Sequence, residues 1–144
     1  AARLLFLAMF VDSHCHLSFP ELSERLPEIR AAMAAAGVDR ALCICTTLEE
    51  FEDVHALAMG YDNFWASAGV HPDNEGITEP TVDKLLELAA RPRVVGIGET
   101  GLDYYQMEER KGGRSVTDLD WQRSTLHVRR TIWRGAAHRA RPLT

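Results

Sequence analysis

The chain is poor in several things, and each shortage narrows its function. It has three cysteines (Cys15, Cys43, Cys45), an odd number without disulfide-framework spacing, which argues against a stapled secreted module. Cys43 and Cys45, two apart on an apolar run, read as small packing residues and not as a CxxC redox pair. A reducing, cytoplasmic setting is therefore expected. No apolar run approaches the roughly 18 residues of a membrane span, so no membrane partner is expected. Acids are missing from one region only. All 21 lie between Asp12 and Asp120, whereas residues 123–144 hold six of the 16 basic residues and no acid. The overall charge of −5 gives no sign of a polyanion partner.

What is present is ordinary for one globular domain, with 46% apolar and 26% charged residues in 144. The segment 1–8 has one arginine and then an apolar run, the outline of a signal peptide. It flows into the next strand without a small-residue cleavage site, so it reads as an upstream extension with Met9 as the natural start.

From Met9 onward a strand–helix unit repeats. Apolar strands are expected near residues 10, 41–46, 64–70 and 94–98. Between them, Pro27 suits a first helical turn, Ile29 and Met33 share a face, and Gly37 suits the stop. Thr47 with Glu50 forms a capping box ahead of a helix with Phe51, Val54 and Ala58 on one face, ending near Gly60. A third helix is expected from about Thr78, carrying Val82, Leu85, Leu86 and Ala89 and closed by Pro92. Units of about 30 residues are the size of βαβ crossovers, and near-continuous apolar strands fit a parallel sheet covered by helices. Both an open doubly wound sheet and part of a (β/α)8 barrel satisfy this. The glycine-rich phosphate loop of the first is absent, and polar groups at the ends of several strands are the habit of the second.

Those groups are His14, His16, His71 and Glu99. Strand residues two apart share a face, so His14 and His16 aim at one point while Cys15 faces away. Imidazoles and a carboxylate are ligands that zinc, manganese or cobalt accept, and a carboxylate can bridge two ions in metal-assisted hydrolysis. The bland reading of Glu99 is a loop acid between turn-forming glycines. His71-Pro72 is either a plain turn or a substrate contact or outer metal ligand, and Asp103 is either a turn acid or a group that supports the metal ligands or faces the substrate.

Phe10-Val11-Asp12-Ser13-His14-Cys15-His16-Leu17, Gly69-Val70-His71-Pro72 and Gly96-Ile97-Gly98-Glu99-Thr100-Gly101-Leu102-Asp103-Tyr104-Tyr105 resemble three N-terminal signatures of the TatD family of metal-dependent deoxyribonucleases and related hydrolases. Trp121-Gln122 resembles the opening of the family's next helix. The likeness spans residues 9–122. It implies an α/β fold, a partial TIM (β/α)8 barrel of the metallo-dependent hydrolase type with about four βα units. It further implies a divalent metal centre of one or two ions (Mg, Mn or Zn), with His14, His16 and Glu99 as ligands and Glu99 as the shared, catalytic carboxylate. His71 and Asp103 would lie at the substrate, and the implied activity is hydrolysis of phosphodiester bonds in DNA by metal-activated water.

The match stops there. The family's later histidines and aspartate have no counterpart, and His127 and His138 read as surface residues. The Arg-rich tail 123–144 suggests a shifted reading frame or truncation; the alternative is a basic helix contacting phosphates non-specifically. A barrel of four units would expose sheet edges, lower stability and promote self-association. It would be a weakly active or inactive fragment, or a non-catalytic metal- or partner-binding half-barrel.

Overall fold

Gly37 shows how the chain makes its first return. Helix α2 (Leu26–Ala35) has Pro27 in its opening turn and ends at Ala36. Gly37 then takes φ 73°, a left-handed conformation that costs glycine little. The chain turns straight into β2 (Val38–Cys43), which lies parallel to β1 (Phe10–Cys15). The computed structural model describes residues 9–74, 76–99, 101–103 and 105. The readings of 1–8, Trp121-Gln122, His127, His138 and 123–144 lie outside them.

The same unit recurs. Helix α3 (Phe51–Gly60) leads to β3 (Phe64–Gly69), and α4 (Val82–Ala89) leads to β4 (Val94–Gly98). The four strands are all parallel, in the order β1-β2-β3-β4. Each strand is thus followed in space by the next strand in sequence, as in a barrel wall and unlike a doubly wound sheet, whose order reverses. The described units form part of a (β/α)8 barrel.

Apolar residues of the helices cover one face of this wall. Leu26, Phe51, Val54, Ala58, Leu85 and Leu88 pack with Ala41, Cys43, Phe64, Ala66, Ala68 and Val94 of the strands. Burying Phe51 or Phe64 contributes about 2–3 kcal/mol each. Strand β3 is buried at every position but Trp65, as expected of an inner parallel strand. Strand β1 is exposed from Phe10 to His14.

Three boundaries differ from the sequence expectation. β2 covers Val38–Cys43 instead of 41–46, because Gly37 delivers the chain directly into pairing with β1. The final helix begins at Val82, not near Thr78. Pro80 disfavours helix at the residue before it, and the Thr81 hydroxyl accepts from the Lys84 N–H at 3.1 Å as the cap. Within the loop after His16, Pro20–Ser23 forms one helical turn, α1, with proline at its start. The Thr47–Glu50 capping box is present and reciprocal, at 3.1 and 3.2 Å. It closes the turn just before α3, which itself starts at Phe51.

Candidate metal centre

At the end of β1, Asp12 Oδ1 accepts a hydrogen bond from the His14 backbone N–H at 3.0 Å. This local turn holds the strand end on which the two histidines sit. Their rings are 5.1 Å apart and nearly perpendicular, at 76°. His16 stacks on Phe19, 4.9 Å between ring centres and 16° between planes. As expected, Cys15 turns the other way, and its thiol donates to the Leu42 carbonyl at 3.3 Å.

Glu99 reaches the same point from β4. Neighbouring strands lie about 4.8 Å apart, so in a flat sheet β1 and β4 would be separated by roughly 14 Å. Curvature of the wall and inward-pointing side chains close that gap: Glu99 Oε1 lies 3.3 Å from His14 Nε2. His14, His16 and Glu99 each offer one ligand atom, all within 4.8 Å of one another. Glu99 holds this position at φ 57°, in the left-handed region, where a bulky side chain is strained.

The third strand adds a second group. Gly69 and Gly98 face each other in the β3–β4 register. A Cβ at Gly69 would run into the Gly98 carbonyl, so only glycine permits this approach. The residues just beyond, His71 and Glu99, are thereby brought together, with His71 Nε2 3.9 Å from Glu99 Oε2. The His71 N–H and the Asn74 side chain both donate to the Thr46 carbonyl, at 2.7 and 3.0 Å. The Asp73 N–H donates to His71 Nδ1 at 3.2 Å. A neutral His71 therefore carries its proton on Nε2, facing Asp103 Oδ2 at 3.3 Å. Asp103 is itself held by the Tyr105 N–H at 2.7 Å.

The structure thus brings all five predicted residues to one rim. His14, His16 and Glu99 form the compact donor group, and His71 and Asp103 flank Glu99. The donor chemistry suits a divalent ion. So does one further feature: His16 Nδ1 is buried without a hydrogen-bond partner among the described residues, as are Ser18 Oγ, Arg30 Nε and Asn63 Oδ1, and of these four it is the one that belongs to the donor group. Sequence reasoning missed the positioning residues Asp12, Asn74 and Thr46 and the Gly69–Gly98 contact. Asp12 had a local signal, its place two residues before His14; the others are contacts across the fold. A cavity of about 360 Å³ opens at the amino ends of β1 and β2, lined by Met9, Arg30, Val38 and Asn63 among others, and no predicted site residue borders it.

The thiols behind the rim influence one another. The Cys43 thiol and then burial push Cys15 up, while the Cys15 thiol holds Cys43 below its ordinary value. Burial pushes Cys45 up to about 11.

Residues 11–123 match the family model described as TatD related DNase. The chain belongs to that family. It is 41% identical over 105 residues to the protein described as the uncharacterized metal-dependent hydrolase YcfH of Escherichia coli K12, covering 70% of this chain and 39% of that protein. It is 36% identical over 94 residues to the 3'-5' ssDNA/RNA exonuclease TatD of the same strain, covering 65% and 36%. The crystal structure of YJJV, a TatD homolog from Escherichia coli K12, superposes with a TM-score of 0.66 at 27% identity over 88% of this chain and 47% of that one. The chain spans about two fifths of the length of the curated relatives it matches. Its TatD-family membership agrees with the three signatures and with the barrel wall. Among the described residues, no helix is long and apolar enough to cross a membrane.

Proposed function

We propose that this chain provides the His14, His16 and Glu99 portion of a metal-dependent phosphodiesterase site that hydrolyses DNA. The observation that carries the reading is the convergence of those three side chains at the carboxyl ends of β1 and β4 in a chain of the TatD family. A divalent ion bound there (Mg, Mn or Zn) supplies Lewis acidity toward a phosphoryl oxygen and a water that ionises near neutral pH.

The residues themselves divide the remaining work. His14 and His16 offer neutral nitrogen donors from one strand end. Glu99 directs one carboxylate oxygen toward His14 and the other toward His71, and would serve as the carboxylate ligand beside the two imidazoles. His71 presents an N–H at the rim beside Asp103, where it can orient a phosphate oxygen. Asp12 and the Gly69–Gly98 contact keep the donors in place.

The test is cleavage of a single-stranded DNA oligonucleotide by the 144-residue chain with Mg²⁺, Mn²⁺ or Zn²⁺. Metal-dependent cleavage is expected to fall at least about 100-fold in His14→Ala and in Glu99→Ala. Cleavage untouched by either substitution overturns the assignment. Metal binding without cleavage by the unaltered chain favours the second reading, a non-catalytic metal-binding half-barrel.

A further inference from the structure

We infer that Cys15 and Cys43 are an oxidisable thiol pair, closed to a disulfide by a hydroperoxide, and that closure displaces the two histidines flanking Cys15. Residues 15 and 43 are direct partners in the β1–β2 register. Adjacent strands run about 4.8 Å apart, inside the Cα separation of roughly 4.4–6.8 Å that a disulfide accepts. All three cysteines are free. The Cys15 thiol already points across to β2, where it donates to the carbonyl of Leu42, the neighbour of Cys43. Cys15 is half-buried and Cys43 fully buried, so an oxidant from solvent meets Cys15 first.

Cys45 is the weaker partner for either. Residues two apart along extended chain are separated by roughly 6.6 Å, near the outer limit for a bridge, and the Cys45 thiol is engaged by the Thr47 carbonyl at 2.9 Å. Sequence spacing draws attention to Cys43 and Cys45; register across the sheet selects Cys15 and Cys43.

The chemistry balances in two steps. The Cys15 thiol, held protonated by Cys43 and by burial, gives up its proton as its sulfur attacks the hydroperoxide; the O–O bond breaks, one oxygen passes to Sγ as a sulfenic acid, and the other takes that proton and leaves as water or an alcohol. Cys43 Sγ then attacks the Cys15 sulfur; the S–S bond forms, the S–O bond breaks, and hydroxide leaves as water with the Cys43 proton. Two thiols are oxidised and one peroxide is reduced. An S–S bond of about 2.05 Å draws Cys15 away from the Leu42 carbonyl. The β1 register is already irregular between Asp12 and Cys15, so the slack lies where His14 sits. The consequence for ligand geometry rests on the proposed metal site; the bridge itself does not.

The 144-residue chain is treated with excess hydrogen peroxide, alkylated, digested and mapped by mass spectrometry. The expected product is a Cys15–Cys43 cross-linked peptide with Cys45 alkylated, reversed by dithiothreitol. The imidazole C–H resonances of His14 and His16 should move with it while those of His55 stay, and Mn²⁺ affinity should fall about tenfold. Cys15→Ala and Cys43→Ala should each abolish the bridge and the resonance shifts; Cys45→Ala should leave both. A bridge that includes Cys45, over-oxidised Cys15 beside a free Cys43 thiol, or a bridge with unmoved resonances overturns the inference. Failure of the reduced chain to bind Mn²⁺ counts against the metal-site reading alone, since peptide mapping still reports the bridge.

Discussion

His55 and His16 are both stacked on a phenylalanine, Phe51 and Phe19 respectively, yet the two rings are completed differently. His55 is 7% exposed. Its Nδ1 faces an Arg91 N–H at 3.0 Å and its Nε2 faces the Pro92 carbonyl at 3.0 Å. Arginine only donates and a carbonyl only accepts, so His55 is a neutral ring with its proton on Nε2. Arg91 also lies over Phe51 and pairs with Glu52, whose carboxyl it holds below the ordinary range. Every polar atom of the ring is used, and the cluster ties α3 to the lead-in of β4. At the rim, by contrast, His16 Nδ1 has no partner among the described residues. The same residue types make a clamp in one place and a candidate centre in the other. What separates them is whether the ring's polar atoms are satisfied without a ligand, because buried unmet polar atoms persist only where something else compensates; backbone conformation does not separate them, since Arg93, next to Pro92, also takes a left-handed φ, 63°.

The comparison breaks most sharply if the two histidines are exchanged for alanine. His16→Ala should weaken Mn²⁺ or Zn²⁺ binding at least about 100-fold, roughly 3 kcal/mol, with little change in urea stability; calorimetric titration reads the first and a denaturation curve the second. His55→Ala should do the reverse. It opens a cavity, takes the imidazole donor from the Pro92 carbonyl and leaves Arg91 with Glu52 and the Phe51 face only, a loss of about 2–3 kcal/mol in stability, while metal affinity holds. A His55→Ala chain that loses metal binding without losing stability would erase the distinction.

How much of this was readable beforehand follows from the range of each signal. The four strands, the apolar helix faces and the Thr47–Glu50 box are local patterns, and each appears in the fold. His14 and His16 were legible as a pair because strand geometry puts residues two apart on one face. Their meeting with Glu99 was legible through family likeness, since spacing in sequence carries no information on sheet curvature. The role of Gly69 was hidden: it depends on the Gly98 carbonyl, nearly thirty residues later. His55 was equally silent, because its partners Arg91 and Pro92 come from the far side of α4. The start of β2 was misjudged because apolar content pointed to 41–46, while pairing begins as soon as Gly37 releases the chain.

Cys45 sharpens the picture of the settled interior. Its thiol is fully buried and bonded to the Thr47 carbonyl, and burial raises its pKa from 9.0 to about 11. A thiol with a raised folded-state pKa favours folding while it is protonated. That contribution is complete below about pH 9 and disappears as pH climbs toward about 11. Stability should therefore drop by about 2 kcal/mol more in the unaltered chain than in Cys45→Ala across that window. Parallel curves for the two proteins would show that burial of this thiol is not felt as a protonation preference.

The smallest effect probes the strain at the rim itself. Glu99 sits at φ 57°, where a Cβ crowds the following carbonyl and costs roughly 1–2 kcal/mol. Glycine pays nothing there, though it gains freedom in the unfolded chain. Glu99→Gly should therefore be about 1 kcal/mol more stable than Glu99→Ala, and neither should bind metal as the unaltered chain does. The pair of substitutions separates two roles that a single one confounds. Both remove the carboxylate, so their shared loss of affinity reports on the ligand. Only one removes the Cβ, so their difference in urea stability reports on the backbone. If alanine were as stable as glycine at this position, the left-handed turn after β4 would be carrying no strain.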